Sequence, residues 1–477
     1  MNVAAGVNTA FRRQARQALA DPALRQAMSR AGGGFAGARR EAAADLPEFD
    51  ALCDAARDIK DHVLSHLDLY LEAYERQTVQ NGGQVHWART AEEACSIISR
   101  ICQDADARLV VKGKSMVSEE IGLNEVLEKA GIQVAESDLG EYIIQLAGET
   151  PSHIIAPAIH KTREQITELF HQNHRELGYA DRVTRRDAIV NEARSVLRSV
   201  FARADVGITG ANFLVAETGA NVIVTNEGNG DLTSCLPRVQ IITAGIEKVV
   251  PSLEDLSVLL RVLGRSATGQ EMSAYTTLYS GPRREKDQEG PQEYHVVLVD
   301  NGRSAMLAGE YRSMLRCIRC GACLNHCPVY SAVGGHAYGW VYPGPMGSVL
   351  TPLIQGFDNS FDLPNACTLN GRCSAVCPVR IPLSDLLRQH RVEQYRRRLY
   401  PLVGRAVLSA WSWLARRPRL YQGVMALPVW LMHRLGRRHG GLNWLPAAHG
   451  WTRGREMPAP EPQTFLNQWQ SRRDQDL

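Results

Sequence analysis

The chain contains 477 residues, of which 44% are hydrophobic and 22% are charged, as in ordinary globular proteins. This length predicts about three domains, each able to bury its own core. The first residues include Arg12, Arg13 and Arg16 but no apolar run, which excludes a secretory signal. No uncharged stretch reaches the roughly eighteen residues that a membrane-spanning helix needs. We therefore predict a cytoplasmic protein, with a peripheral position on the inner face of the membrane left open.

Charge divides the chain into an acidic body and a basic tail. The segment from Arg388 to Arg438 holds twelve arginines, no lysine and one acid, Glu393, and so carries a net charge of +11. Because the whole chain carries only +3, the remaining residues carry −8. This separation predicts that the tail meets an acidic partner, an anionic membrane or the acidic body itself.

The N-terminal region is predicted to be helical. Residues 1 to about 45 are rich in Ala and Arg and predict short helices, broken at the three glycines 32–34. A longer amphipathic helix is predicted over residues 48–79, where apolar side chains recur near the 3.6-residue period. The Asn-Gly-Gly sequence at 81–83 ends it.

From about Val85 to Asp300 the sequence alternates between strand and helix patterns, which implies βαβ units and a mostly parallel sheet. One intervening helix begins at a capping box, Thr162-x-x-Gln165. Residues 281–293 predict an exposed loop before the last strand. The predicted strands are 109–111, 132–135, 154–155, 206–209, 222–225, 239–243 and 295–299, and other predicted helices include about 118–131 and 142–146.

Three loops of this region carry residues suited to ligand binding. Lys112, Lys114 and Ser115 follow a strand and open a helix, where helix amides and two ammonium groups favour an anion. Two further loops flank the strand at 222–225. Ligand sites of open α/β sheets lie at the carboxyl ends of strands, so only the loop after this strand is placed like the first. The alternative, that all three loops are plain turns, stays open. The candidates in the flanking loops are Glu217 and Thr218 before the strand, and Asn226 and Glu227 after it.

Four histidines also lie close together in this region: His153, His160, His171 and His174. Neither their spacing nor a carboxylate partner marks a metal site, so we predict solvated or capping side chains. Nothing in the region identifies a catalytic residue, and none is predicted.

Seven of the eleven cysteines lie between residues 317 and 377, in two related runs. The first run has the spacing C-x2-C-x2-C-x3-C-P of bacterial iron–sulfur proteins, and the second repeats this frame with one position changed. In two-cluster ferredoxins the last cysteine of each run ligates the other cluster. Applied here, the first cluster takes Cys317, Cys320, Cys323 and Cys377. The second cluster takes Cys327, Cys367 and Cys373.

The second run has Asn370 where the complete motif has a cysteine. An amide is a poor ligand for a soft metal site compared with a thiolate. We therefore predict one complete 4Fe-4S cluster beside a second that is either 3Fe-4S or 4Fe-4S with a non-cysteine ligand. Disulfides and zinc are the alternatives. The length and missing signal disfavour disulfides, and zinc sites need neither the third cysteine nor the following proline.

Three further segments carry structural predictions. Residues 334–345, rich in Gly and Pro, predict either a shaped loop that lines the clusters and could meet a partner, or an ordered linker. A helix is predicted over Ile381–Tyr400. The tail beyond it sets tryptophans among arginines, which suits an acidic partner protein or a membrane surface, with packing on the body as the alternative. No nucleic-acid-binding module accompanies the charge. The tryptophans are Trp411, Trp413, Trp430, Trp444 and Trp451.

The stretches Lys112–Met116 and Gly207–Asn229, together with the cysteine runs, resemble the lactate-utilisation iron–sulfur protein family (LutB type) over nearly the whole chain. The resemblance implies an α/β LUD domain, similar to sugar-phosphate isomerases and CoA transferases. An α-helical ferredoxin-type two-cluster domain and a basic helical tail follow it. Most family members lack the first cysteine of the second run and have the second, whereas this chain has Cys367 and Asn370. The implied divisions are an N-terminal helical region 1–80, the LUD domain 81–302, the iron–sulfur domain 303–385 and the tail 386–477.

The resemblance also implies a function, because family members act with two partner subunits in oxidising L-lactate to pyruvate. No loop of this chain matches a Walker, flavin or nicotinamide motif that would serve two-electron chemistry. We therefore predict an iron–sulfur electron-transfer subunit of such a complex, with no nucleic-acid partner. Two alternatives stay open. The LUD domain could itself bind and oxidise a small hydroxy acid, or the chain could be an electron-transfer adapter of another quinone-linked dehydrogenase.

Overall fold

A computed structural model describes residues 11–437, 440–445, 452 and 455–473. The chain divides after Val392 into two compact units. The larger unit holds the N-terminal helices, two sheets and the cysteine runs, and the smaller unit holds most of the basic tail. Trp451 and Arg438 of that tail lie outside the described residues.

The elements are numbered in chain order. The described strands are β1 (Gln84–Ala88), β2 (Leu109–Lys112), β3 (Gln133–Glu136), β4 (Val206–Gly210), β5 (Phe213–Val215), β6 (Ala220–Thr225), β7 (Val239–Gly245), β8 (Val249–Val250), β9 (Tyr275–Tyr279), β10 (Glu293–Val299), β11 (Gly441–Leu442) and β12 (Met457–Pro458). The described helices are α1 (Phe11–Ala20), α2 (Pro22–Ala44), α3 (Phe49–Ser65), α4 (Leu67–Gln80), α5 (Ala91–Asp104), α6 (Met116–Glu120), α7 (Leu123–Lys129), α8 (Leu139–Ala147), α9 (Arg163–His174), α10 (Arg186–Arg203), α11 (Asn229–Cys235), α12 (Leu253–Ala267), α13 (Arg303–Leu307), α14 (Ala322–Asn325), α15 (Pro328–Val333), α16 (Gly344–Gln355), α17 (Arg372–Ala375), α18 (Leu383–Arg396), α19 (Leu402–Ala415), α20 (Pro418–Gly436) and α21 (Phe465–Arg473).

The helix break predicted at the glycines 32–34 is wrong, because α2 runs through them. The chain breaks earlier, at Asp21, whose carboxylate accepts hydrogen bonds from the backbone N–H groups of Ala23 and Leu24 at 2.9 and 3.1 Å. Pro22 occupies the first position of α2, where its missing N–H costs nothing. A cap and a proline therefore set this boundary.

The single helix predicted over residues 48–79 is two helices, α3 and α4, which meet at His66. The apolar period continues across the break, so periodicity alone does not show it. α4 ends at Gln80, just before the Asn-Gly-Gly sequence that was expected to stop it.

Six parallel strands form the main sheet, in the order β1-β10-β7-β4-β2-β3. Every neighbouring pair is parallel, which confirms the predicted α/β architecture. All seven residues of β7 are buried, as is typical of a parallel sheet with both faces covered. The predicted capping box of α9 is also present. Because β2, β4 and β7 are neighbours, the loops at their carboxyl ends meet at one edge.

A second sheet of four strands, in the order β8-β5-β6-β9, was not predicted. β6 is antiparallel to β5 and β9, whereas β8 is parallel to β5. The strand expected at 222–225 belongs to this sheet and not to the parallel one. A short run of apolar residues predicts a strand but not its pairing partner.

Residues 154–155 form a bend, so the strand predicted there is wrong. The backbone N–H groups of Ile155 and Ala156 donate to His153 Nδ1 at 3.0 and 3.1 Å. A side chain thus takes the donors that a strand would offer to its neighbour. Ile154 is buried in the hydrophobic cluster that includes the cysteine region.

The glycine-rich loop between the cysteine runs packs against the α/β domain of its own chain. The Tyr330 hydroxyl donates to the Ser152 carbonyl at 2.8 Å, and the Gly335 N–H donates to the Ser152 hydroxyl at 3.2 Å. A Cβ added at Gly335 would lie 1.8 Å from the Ser152 carbonyl oxygen, so this contact needs a glycine. The hydrophobic cluster that contains Ile154 and the cysteine region also contains Phe11 of α1 and Val222 of β6.

The smaller unit contains α19, α20, α21 and the short antiparallel pair β11 and β12. Its helices expose many apolar side chains, including Leu402 at 80% and Trp411 at 59% exposure. Among the described residues, none of the helices has the length and apolar character needed to cross a bilayer. The helix predicted over Ile381–Tyr400 corresponds to α18, which is shorter at both ends.

Candidate iron–sulfur centre and adjacent cleft

Four cysteines from the two runs line one cavity. Cys317, Cys320 and Cys323 surround the start of α14, and Cys377 follows α17. Three of the four are buried, and Cys317 is half-buried. Sixty residues of chain separate Cys317 from Cys377, so the fold and not local spacing brings Cys377 into this group. We call the four residues the first cysteine group.

The chemistry of this group fits an iron–sulfur cluster. Burial raises the pKa of Cys377 to about 12 and also raises the pKa values of Cys320 and Cys323. All are free thiols, and the N–H of Ile381 donates to Cys377 Sγ at 3.4 Å. Iron stabilises the thiolate form of such buried cysteines because it replaces the thiol proton. Four converging sulfurs in an apolar cavity are the donor set of a 4Fe-4S cluster.

The other three cysteines, Cys327, Cys367 and Cys373, form the second cysteine group. Burial, followed by the proximity of Cys367 and Cys327, raises the pKa of Cys373 to about 11. Backbone N–H groups of Tyr330 and Leu369 donate to Cys327 Sγ at 3.4 Å and to Cys367 Sγ at 3.3 Å. Hydrogen bonds to sulfur of this kind tune cluster potentials. The two groups are neighbours, because Cys373 also contributes to the raised pKa of Cys323 in the first group.

Asn370 is exposed, at the start of α17. Its side-chain oxygen accepts a hydrogen bond from the N–H of Arg372 at 3.1 Å. This bond engages the one atom of the amide with metal-ligating character. The second group therefore has three thiols, and the side chain at position 370 makes a hydrogen bond within the turn that precedes α17.

A second cavity lies beside the first, at the carboxyl edge of the main sheet; we call it the sheet-edge cleft. Its walls are the loop after β2 with the start of α6 (113–117) and the end of β4 with the residues that follow it (209–212), together with the end of β6 and the start of α11. Ile154 lines both this cleft and the cavity of the first cysteine group. Arg319, which stands between Cys317 and Cys320, also lines the cleft. A single layer of side chains thus separates the two cavities.

Arg319 enters the cleft from the cysteine run through an unusual backbone conformation, with φ of +60°. Its guanidinium lies 4.8 Å from the ring centre of Tyr342 and 3.5 Å from the Glu247 carboxylate. Glu247 is already paired with the buried Arg303 at 2.7 Å. Two arginines therefore share this carboxylate, and the positive charge of Arg319 is only partly balanced.

Two lysines complete the cationic lining of the cleft. The Lys114 ammonium donates to the Ile155 carbonyl, whereas Lys248 has no hydrogen bond or ion pair with the residues that the structure describes. Burial, then the charge of Arg319, lowers the pKa of Lys248 to about 8. Asp138 is the one acid among the described lining residues, so positive charge predominates.

Lys112, a predicted anion-binding residue, lies outside the cleft. Its ammonium is fully buried and bonds to Glu119 and, at 2.8 Å, to Glu136. Burial opposes its charge, but Glu119, Glu136 and Glu141 raise its pKa above the usual value. Its charge is thus used within the fold, while Lys114 and Ser115 of the same loop line the cleft.

Comparison with known proteins agrees with this arrangement of domains. The family model described as the LUD domain matches residues 71–299, and that of the 4Fe-4S dicluster domain matches residues 313–381. Lactate utilization protein B of Oceanobacillus iheyensis is 43% identical, over 94% of this chain and 93% of its own. The chain belongs to the lactate utilization protein B family. The protein of that name from Bacillus subtilis is 42% identical, over 96% and 95% of the two chains.

A similar degree of likeness extends to a relative with another name. The uncharacterized electron transport protein YkgF of Escherichia coli is 42% identical over 475 residues, which is 98% of each chain. A crystal structure of a DUF162 family protein from Deinococcus radiodurans matches 49% of this chain and 98% of its own at 14% identity. Its TM-score is 0.28.

The loop before β6 is not part of the described lining of the sheet-edge cleft. Glu217 accepts a hydrogen bond from the N–H of Leu253 at 3.1 Å, at the start of α12. The carbonyl of Thr218 accepts one from the Asn81 side chain at 2.9 Å. Both residues hold helix ends in place, which agrees with the alternative that this loop is a turn.

The loop after β6, residues 226–228, is not part of the described lining of the sheet-edge cleft, although the residues on either side of it are. Asn229 and Gly230 line the cleft, but Asn226 bonds to Gln270 at 2.9 Å and to the N–H of Ala274. Glu227 lies nearby, where partial burial and then the charge of Asp138 raise its pKa. Neither of the two predicted residues lines the cleft.

Sequence reasoning missed three residues of the sheet-edge cleft: Lys248, Arg319 and Thr209. Lys248 and Thr209 sit at the ends of β7 and β4, so closer attention to the residues after each parallel strand would have found them. No signal in the sequence identifies Arg319, because it belongs to the dicluster domain and meets the LUD domain only in the fold.

His153 and His174 are fully buried and not solvated, but His153 caps backbone N–H groups, as the other half of the prediction has it. Burial, followed by the charge of Lys114, lowers the pKa of His153 to about 3, so it is neutral and accepts the two N–H groups described above. His174 lies between the Tyr142 hydroxyl at 2.8 Å and Glu192 at 2.7 Å. These rings connect elements of the LUD domain.

His160 takes part in a possible ligand set with Glu149 and His336, whose ligand atoms all lie within 4.8 Å of one another. Glu149 accepts from His160 at 2.7 Å and also bonds to the Lys161 ammonium. His336 lies 2.7 Å from the Thr150 carbonyl. The lysine satisfies the carboxylate and places a positive charge beside the group, so these contacts are those of a domain junction.

Proposed function

We propose that this protein is the iron–sulfur electron-transfer subunit of a multisubunit complex that oxidises L-lactate to pyruvate. The observation that carries the proposal is the pair of adjacent cysteine groups in a dicluster domain. Iron–sulfur clusters transfer single electrons, and two neighbouring clusters form a path for them. The names of relatives, lactate utilization protein B and electron transport protein, support the same role.

In this proposal Cys317, Cys320, Cys323 and Cys377 ligate a 4Fe-4S cluster. Cys327, Cys367 and Cys373 hold the second, which is 3Fe-4S or 4Fe-4S with a ligand other than cysteine. Support for the crossed assignment comes from the cavity that Cys377 shares with the first run. Support for the incomplete second cluster comes from the exposed, hydrogen-bonded Asn370.

The proposal includes two further subunits, as the family resemblance implies. At least one of them must accept electrons in pairs, because the clusters accept them singly. One partner would take the pair from lactate, and the clusters would pass single electrons to a quinone-linked or other acceptor. The exposed apolar side chains and arginines of α19 and α20 are the surface we assign to a partner, with peripheral attachment to a membrane as the alternative.

Isolation with native partners tests the proposal. The co-purified assembly should reduce an artificial acceptor with L-lactate, and each component alone should not. An assembly that turns over glycerol 3-phosphate or another substrate but not lactate would instead identify an adapter of a different quinone-linked dehydrogenase. An assembly without this chain that transfers electrons at the full rate would contradict the electron-transfer role.

A further inference from the structure

The sheet-edge cleft contains polar groups that have no partner among the described residues. Lys248 is only 6% exposed, lines the cleft, and has no hydrogen bond or ion pair with the described residues. Within the part of the chain that the structure describes, the hydroxyl of Thr209, 2% exposed and also in the lining, has no hydrogen-bond partner. Burial of this unpaired hydroxyl is unfavourable, because it loses its bonds to water. A ligand that bonded the hydroxyl would remove this cost, and the unpaired Lys248 ammonium would balance the charge of an anionic ligand.

The charge of the cleft indicates an anion. Lys114, Lys248 and Arg319 line it against a single described acid, Asp138, whose carboxylate already caps the N–H groups of Gly140 and Glu141. An arginine and a lysine bind carboxylates through charge-assisted hydrogen bonds, which are stronger than neutral ones. Three cations near one small cavity therefore favour a negatively charged ligand.

The remaining walls limit the kind of anion. Ile154, Ile223 and Val224 supply apolar surface, while Thr209, Thr225 and Asn229 supply hydroxyl and amide groups. This combination matches a short acid with a carboxylate, a second oxygen and a small alkyl group. A phosphate group offers no apolar part to fill the same walls.

We infer that the sheet-edge cleft binds a short 2-hydroxy or 2-oxo carboxylate beside the first cysteine group. Lys248 and Arg319 hold the carboxylate, and Thr209 bonds the ligand's second oxygen. The identity of the acid, L-lactate or pyruvate, rests on the proposed function, whereas the presence of an anion site rests on the cleft alone. Arg319 connects the two parts, since it joins the cleft lining to the cysteine run.

The competing explanation is that these cations only balance the negative charge of a cluster, because Cys317 lies close enough to act on both Lys248 and Arg319. The two explanations differ for Thr209, which carries no charge. The two explanations also predict different stabilities for the variants. If the cleft is an empty ligand site, removal of an unpartnered buried polar group stabilises the protein or leaves its stability unchanged.

The test uses the full chain with its clusters, kept anaerobic, and isothermal titration with pyruvate, L-lactate, acetate and inorganic phosphate. We expect pyruvate or lactate to bind more tightly than acetate or phosphate. Lys248→Met should weaken this binding at least about tenfold, since it removes a charged hydrogen bond. Thr209→Val should weaken it several-fold, and both variants should unfold at the same temperature as the wild type or higher. Lys129→Met, at an exposed lysine that is 72% accessible, is the matched control and should bind normally.

Three results would overturn the inference: no binding of either acid by the wild type, tighter binding of phosphate than of pyruvate, or unchanged affinity in both variants. A Lys248→Met variant whose cluster potential shifts while pyruvate binds normally would establish the charge-balancing explanation instead. Each of these results leaves lactate-dependent reduction of the clusters in the intact complex untouched, so failure here is separable from failure of the proposed function.

Discussion

Position 370 shows how one side chain changes a metal site. The second cysteine group offers three thiols, and the Asn370 oxygen is engaged by the N–H of Arg372. An iron without a thiolate ligand dissociates most readily when the cluster is oxidised, because no soft donor retains it. The same hydrogen bond stabilises the turn before α17, so the side chain contributes to the fold whether or not it meets iron.

The first prediction concerns this residue. The wild type should show an oxidised 3Fe-4S signal by electron paramagnetic resonance after exposure to air, beside a diamagnetic four-iron cluster. Asn370→Cys should abolish that signal and raise the iron content by about one atom, because a fourth thiolate retains the last iron. Asn370→Ala, which removes the amide without adding sulfur, is the control and should keep the signal. Eight retained irons and no three-iron signal in the oxidised wild type would show that the site already has a competent fourth ligand.

At the scale of elements, α14 and α17 decide how the cysteines are shared. These short helices contact each other, so Cys377 reaches the first run although it belongs to the second. We expect Cys377→Ser to remove the 4Fe-4S cluster of the first group and leave the second. Cys373→Ser, four residues away, should do the reverse. Iron and sulfide analysis with Mössbauer spectroscopy shows which cluster each variant has lost. Loss of the same cluster in both variants would refute the crossed assignment.

The contact between the α/β domain and the loop at Gly335 is too close for a side chain. Gly335→Ala would place a Cβ 1.8 Å from the Ser152 carbonyl, and relief of that clash should cost about 1–3 kcal/mol. Gly37→Ala is the control: its Cβ meets nothing within 4 Å in α2, so the change should stabilise by about 0.5–1 kcal/mol. Thermal unfolding followed by circular dichroism measures both. Equal stability of Gly335→Ala and wild type would show that the junction yields without cost.

The tail helices α19 and α20 can be removed without cutting the core. Three leucines of α18 are buried: Leu383, Leu386 and Leu387. The truncation must therefore leave α18 intact, and we place it after Tyr400. Loss of residues 401–477 should leave cluster content unchanged and weaken association with partner subunits. The association of the full chain should also weaken with added salt, because exposed charges are screened within about 8 Å at physiological ionic strength. Pull-down at low and high salt checks this, and salt-independent assembly by the truncated chain would exclude the tail as the interface.

Local signals in the sequence predicted much of the fold and of the cluster site. The cysteine spacing, the capping box at Thr162 and the strand that became β7 each depend on residues close together in the chain. Other features depend on contacts between distant segments, which no local pattern records. The pairing of β6 in a second sheet and the placement of Arg319 in the cleft are of this kind. The bend at residues 154–155 failed as a predicted strand because a neighbouring histidine accepts its backbone donors.

At the scale of the whole molecule, the sheet-edge cleft of the LUD domain shares Ile154 with the cavity of the first cysteine group, and the two cysteine groups are neighbours. Under the proposed function, electrons would pass between clusters held by these two groups. Two-electron oxidation of lactate needs a group that accepts an electron pair, which the proposed partner subunit supplies. This division of labour predicts that the clusters of the isolated chain stay oxidised in the presence of lactate.

Electron paramagnetic resonance of the clusters after addition of L-lactate under anaerobic conditions tests this account most directly. We predict that lactate reduces the clusters of this chain within the co-purified complex, giving the signal of a reduced 4Fe-4S cluster. The same chain alone, with full iron content and reducible by dithionite, should give no reduced signal with lactate. Lactate-dependent reduction in the isolated chain would contradict the account, as would clusters that remain oxidised in a complex that turns lactate over.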